Sequence, residues 1–188
     1  YSEAHVLSLR RDKNYTAQCE VTISNEDKVS SNYGVAIGRL NEATATNAFA
    51  AGNNSKAQGA DSVAIGLTNT ASGAESIAMG HASVASGSSA TAIGFESSST
   101  GDYGTSLGYR GSAAGDFSFA AGYQAKANDI GSVSLGYNNL ADTQFTVAIG
   151  SDMQVNDIKG IGIGHSGNLN GQEVFGIGNS IITKSYRE

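Results

Sequence analysis

Ser62-Val63-Ala64-Ile65-Gly66-Leu67-Thr68-Asn69-Thr70-Ala71-Ser72-Gly73-Ala74-Glu75 runs directly into Ser76-Ile77-Ala78-Met79-Gly80, which repeats its opening in kind. The interval is 14 residues, and it holds from Gly38 to Gly178 without an insertion or deletion. Eleven glycines mark it: Gly38, Gly52, Gly66, Gly80, Gly94, Gly108, Gly122, Gly136, Gly150, Gly164 and Gly178. One residue before most of these glycines stands a large apolar residue such as Ile65, Met79 or Leu107. Three before stands Val63, Ile77, Thr105 or Phe119, and the residue between is always Ala, Ser or Gly. Alternation with period 2 is the pattern of a strand, with successive side chains on opposite faces. We read the large residues as lining the interior of a coil. The small middle residue then marks a close sheet-against-sheet contact with a neighbouring subunit.

The second half of the unit keeps the same frame. Five residues after the anchor glycine comes Ala57, Ala71, Ala85, Ala113, Ala127 or Ala141, often followed two residues later by glycine, as at Gly59, Gly73, Gly87, Gly101 and Gly115. This predicts a second strand of ~5 residues with glycine supplying the turns. Coils stacked at ~4.8 Å would make a rod about 50 Å long. The phase extends backwards through Val21-Thr22-Ile23-Ser24 and Leu7-Ser8-Leu9-Arg10, which lack the glycine. Terminal repeats of a solenoid are expected to diverge because they close its ends. The chain therefore divides into divergent N-terminal coils or a cap (1–33), the repeat proper (34–180), and a tail leading to the next segment (181–188).

Composition agrees with an ordered array. The chain of 188 residues has 25 glycines, no proline or tryptophan, 15% charged residues and a net charge of −6. It offers no basic patch for nucleic acid and no polybasic strip for a membrane. No apolar run reaches the ~18 residues of a spanning helix. The single cysteine, Cys19, excludes an internal disulfide framework. A 14-residue coil buries too little apolar area to offset its backbone ordering, so stability is expected from stacking and from a homo-oligomer that unfolds on dissociation.

Ser62-Val63-Ala64-Ile65-Gly66, Thr146-Val147-Ala148-Ile149-Gly150 and Ser118-Phe119-Ala120-Ala121-Gly122 with its downstream Ala127 resemble the head repeats of trimeric autotransporter adhesins of the Yersinia-adhesin type. The resemblance covers about residues 34–180. It implies an all-β, left-handed parallel β-roll assembled as a homotrimer. It further implies display on a Gram-negative cell surface, anchored in the outer membrane through a segment not present in this sequence. The expected function is attachment to collagen or other extracellular matrix proteins. Similar repeats in phage tail fibres give the alternative, a passive structural spacer.

Conventional active-site chemistry finds no support in the sequence. His81 and His165 share a slot six coils apart, and His5 is far from both, so the three cannot share a metal. Asp61 and Glu75 share a slot, but Ser89 follows them, unlike the Asp ladder of calcium-binding β-rolls. Gly160-Ile161-Gly162-Ile163-Gly164 is the ordinary repeat with glycine in the small slot; no helix follows that could make it a phosphate loop. No serine sits in a nucleophile elbow. No enzyme activity, cofactor or metal is expected. A candidate ligand-binding stripe remains: the residue after the anchor glycine runs Leu67, His81, Phe95, Tyr109, Tyr123, Tyr137. Either this is a stacking ladder that stabilises the rod or packs on a neighbouring subunit, or it is an exposed adhesive stripe.

Overall fold

The computed structural model describes residues 8–11, 19–22, 26–171 and 173–183. His5, Leu7, Ile23, Ser24 and 184–188 lie outside the described residues. The chain is a parallel β-solenoid of about eleven coils, each of about 14 residues. One wall is built from five-residue strands such as Val63–Leu67 and Ile77–His81. They pair in parallel with every residue opposite its counterpart one coil on: Val63 with Ile77, Ala64 with Ala78, Leu67 with His81. The period of the sequence is thus the period of the structure, and identical slots stack into ladders along the rod.

The opposite wall is much narrower than expected. Its strands are two residues long, as in Thr70–Ala71 and Val84–Ala85, rather than about five. The turns also differ. Two corner residues per coil adopt the left-handed conformation, and all but Gly131 are non-glycine, for example Thr68 (φ 56°), Glu75 (φ 57°) and Ala82 (φ 53°). These corners are stitched to the neighbouring coil, with Thr68 N–H donating to the Asn53 carbonyl at 2.9 Å and Glu75 N–H to that of Ala60 at 2.7 Å.

The anchor glycine lies inside the long strand and is not a turn residue. Gly80 has φ +115°, and a Cβ on it would collide with the backbone of Gly94 in the next coil. Close stacking of backbone on backbone is what requires glycine there.

The interior is the reverse of the sequence expectation. Ala36, Ala50, Ala64, Ala78 and Ala92, the small middle residues, are wholly buried, and so are Ala43, Ala57, Ala71 and Ala85 of the short strands. The small slots of the two walls face each other across the coil. Val63, Ile65, Ile77 and Met79 point away from it and are half-buried. The cause is the coil's width: a two-residue wall between sharp corners brings the walls together until only Ala-sized side chains fit. Compensation between the walls shows how tight the fit is. Where the short wall carries Val155 and Leu169, the small slot opposite shrinks to Gly162 and Gly176. A Cβ on Gly162 would come within 2.8 Å of Val155 Cγ2.

At the N-terminal end, Val21 pairs with Val35 and Thr22 with Ala36 in parallel, one unit apart. Ser8–Arg11, by contrast, runs antiparallel to Cys19–Thr22, pairing Ser8 with Thr22 and Arg11 with Cys19. That pairing departs from the parallel, one-unit register of the coils that follow.

Candidate functional site

The last residue of each long strand leaves the sheet at its edge. Parallel pairing in register places each such side chain directly above the one before it, at the strand spacing of ~4.8 Å. That spacing suits aromatic stacking, and the rings use it. Phe95 and Tyr109 stack with centroids 5.1 Å apart and planes 7° from parallel. Tyr109 and Tyr123 follow at 5.0 Å and 3°, then Tyr123 and Tyr137 at 4.8 Å and 7°. His81 closes the near end edge-on to Phe95, at 4.7 Å and 82°. Leu67 sits one coil earlier and is exposed. The structure thus brings all six residues of the candidate stripe into one row, with His81, Phe95 and Tyr109 half-buried and Tyr123 and Tyr137 exposed.

The next corner residue supports the row. Arg110 holds its guanidinium 5.3 Å from the centre of the Tyr109 ring and is paired with Glu96 one coil back. The ion pair and cation–π contact share one cation, which keeps the Arg110 side chain along the edge. Beyond Tyr137 the row turns polar: Ser151 Oγ lies 2.6 Å from His165 Nδ1.

A second aromatic row stands on the other edge of the same sheet, which sequence reasoning missed. Tyr103 and Phe117 occupy left-handed corners (φ 58° and 56°) and stack at 5.0 Å with planes 3° apart. They are 57% and 63% exposed. Gly131 takes the next corner, and the following one, Phe145, lays its ring across the space above it. A Cβ on Gly131 would lie 2.8 Å from Phe145 Cδ1. The signal was available, since 103, 117 and 145 fall in one slot of the frame. A bulky residue at positive φ is uncommon, so that slot drew no attention.

Sequence reasoning also passed over the slot three residues after the anchor glycine, where buried polar side chains tie coil to coil. Asn69 Nδ2 donates to the carbonyl of Ile65 at 2.8 Å and to that of Gly80 at 2.8 Å. Asn139 repeats the arrangement on Leu135 and Gly150 at 2.6 and 2.8 Å. Ser55 and Ser83, in the coils on either side of Asn69, fill the slot with one donated bond each, to the carbonyls of Gly66 and Gly94.

Asp157 is the one buried carboxylate described with a clearly raised pKa. It is 1% exposed and occupies the slot of the second glycine. Burial pushes its pKa above the usual carboxylate value, partly offset by the hydrogen bond it accepts from Gly171 N–H. Its other oxygen, Oδ2, has no partner.

No curated protein matches the chain. The family model for the YadA head domain repeat does, in seven overlapping stretches that begin at residue 43 and end at residue 152. Those stretches cover more than half of the sequence, and each spans nearly two of the coils described above. The in-register ladders, the five-residue strand with glycine at its fourth position and the family match coincide: this chain belongs to the YadA head repeat family, the heads of trimeric autotransporter adhesins.

Proposed function

We propose that the chain is the head of a homotrimeric, non-enzymatic surface adhesin, carried on the outer membrane by a segment outside this sequence, that attaches the cell to collagen or another matrix protein. Family membership supports the adhesive role. The single observation that carries the assembly is the outward face of the long wall. Ile65, Met79 and Ile163 are half-buried, and Ile93 and Ile177 are 38% and 64% exposed. An apolar face that runs the length of a rod far exceeds the patches tolerated on soluble monomers, so it is expected to be covered. Its natural cover is the same face of sister chains, around a threefold axis.

The left hand of the roll is proposed on the same family ground. Residues 1–33 are proposed to close the rod, 34–180 to form it, and 181–188 to lead into the next segment. The aromatic row from Leu67 to Tyr137 is proposed as a recognition surface of the head.

Sedimentation of the purified chain should give the mass of three copies, and the trimer should be retained on collagen-coated plates. A trimer that binds no matrix protein would favour the spacer role instead. A folded monomer would remove the assembly on which both rest.

A further inference from the structure

We infer that the aromatic row on one edge of the long sheet docks against the aromatic row on the opposite edge of a second copy of this chain, forming an aromatic seam between subunits. The inference rests on the homotrimeric reading and names the occupant of the recognition surface proposed above.

Each long strand begins two residues after a left-handed corner and ends on the slot that follows the anchor glycine. One rung of the sheet therefore carries two edge residues at the same height. In a closed ring of like chains every contact joins one edge of a subunit to the other edge of the next. The two ends of a rung must then suit each other.

Along this chain they do. Tyr103 stands across the strand Thr105–Tyr109 from Tyr109, and Phe117 stands across Phe119–Tyr123 from Tyr123. Where one end of a neighbouring rung carries a ring, the other is small: Ser89 with Phe95, Gly131 with Tyr137, Ser151 with Phe145. Both ends are aromatic in the two adjacent rungs of Tyr103 and Phe117, whereas the exposed corner ring Tyr33, far along the rod, has Arg39 at the other end of its rung. Nearer the N-terminus, the rung Glu75/His81 pairs an acid with a base. Nothing within one chain requires this match, because five residues of strand separate the two ends.

Backbone conformation is the second observation. The corner slot holds Asn47, Asp61 and Glu75 in other coils, and Asn and Asp tolerate positive φ at low cost. Tyr103 and Phe117 adopt it as bulky residues while more than half exposed, so their stack within the chain covers only part of each ring. Contact with a facing ring would cover the rest. The edges are continuous with the half-buried apolar face that the same assembly covers, and that face places sister chains beside them.

The test is disulfide trapping in the full 188-residue chain with Cys19→Ser. Tyr103→Cys is combined in turn with Phe95→Cys, Tyr109→Cys or Tyr123→Cys, which allows for an offset of one rung either way. Tyr103 and Tyr109 lie roughly 20 Å apart along one strand, and Phe95 and Tyr123 sit on that same far edge, well beyond disulfide reach within a chain. Mild oxidation should convert at least one double variant largely to covalently linked trimers on a denaturing gel. Each single variant should stay unlinked.

Sedimentation of every variant runs in parallel. Trimers that give no crosslink in any of the three pairs would overturn the seam and leave the trimer standing. A monomer would overturn the trimer and the seam with it. As a second measurement, Tyr109→Ala/Tyr123→Ala should raise the concentration at which the trimer dissociates at least tenfold. An unchanged trimer that loses retention on collagen would instead assign the row to the matrix ligand and overturn the seam.

Discussion

Asn69 Oδ1 accepts the backbone N–H of Ser83, one coil further on, at 2.9 Å. With its two donated bonds, this buried side chain holds its own turn, the next anchor glycine and the next turn together. Asn69→Ala leaves two carbonyls and one N–H without their partner. Each hydrogen bond is worth about 1 kcal/mol net, and more where a buried group is orphaned. We expect a loss of about 2–3 kcal/mol, read as a lower midpoint in thermal or denaturant unfolding. Asn69→Ser should cost less, because Ser55 and Ser83 fill the slot with one bond. Equal midpoints for the alanine variant and the parent would dismiss the stitch.

Gly80 and Gly178 separate two reasons for glycine. Both have positive φ, but a Cβ on Gly80 meets the Gly94 backbone, whereas one on Gly178 meets nothing within 4 Å. Gly178→Ala should cost only the strain of an unfavourable φ, about 1–2 kcal/mol. Gly80→Ala adds a collision that requires the stack to open, and is expected to abolish cooperative folding. Circular dichroism melts of the two variants would show it, and equal effects would contradict backbone stacking.

Ala78 tests which face is inside. It is wholly buried between the walls, while its neighbours Ile77 and Met79 point outward. Ala78→Val overfills the coil and should destabilise by about 1–3 kcal/mol. Met79→Ser should leave the coil intact and weaken association instead, seen as dissociation at higher protein concentration in sedimentation. The opposite pattern would restore the interior expected from the sequence.

Much of the fold was legible in one unit of sequence, because in-register stacking turns a period into a ladder. What alternation cannot say is which of two faces is inside. Large residues ordinarily line a core, so Val63 and Ile65 were assigned inward. The deciding quantity is the width of the coil, set by a two-residue strand and left-handed corners that no residue type announces. Ala64 and Ala71, small on both walls, carried the clue. The row from Leu67 to Tyr137 was visible because rings recur in one slot. Its counterpart at Tyr103 and Phe117 was not, because it sits where rings are unusual.

Asp157 gives a dependence on pH. Burial raises its pKa in the fold above the unfolded value. Its contribution is therefore fully favourable below the unfolded value and is lost as pH rises through the raised one. Asp157→Asn keeps an oxygen for the Gly171 N–H and removes the charge. The variant should be more stable than the parent at neutral pH, by on the order of 1 kcal/mol, with the gap closing toward acid. Unfolding midpoints at neutral pH and near pH 3.5 measure it, and a gap that widens in acid would refute it.

The unbroken register has a consequence for reach. Because each coil meets its neighbour through the same slots, duplication of one whole unit, say Val63 to Ser76, presents the rest of the rod with contacts it already makes. A gene can therefore lengthen or shorten this rod in steps of about 4.8 Å without redesigning either end. A shift by an odd number of residues would turn Ala64-type residues outward and Ile65-type residues into the narrow interior, and an even shift short of a whole unit would put other residues opposite the anchor glycines. The length of the rod is thus a quantity that selection can tune by counting coils.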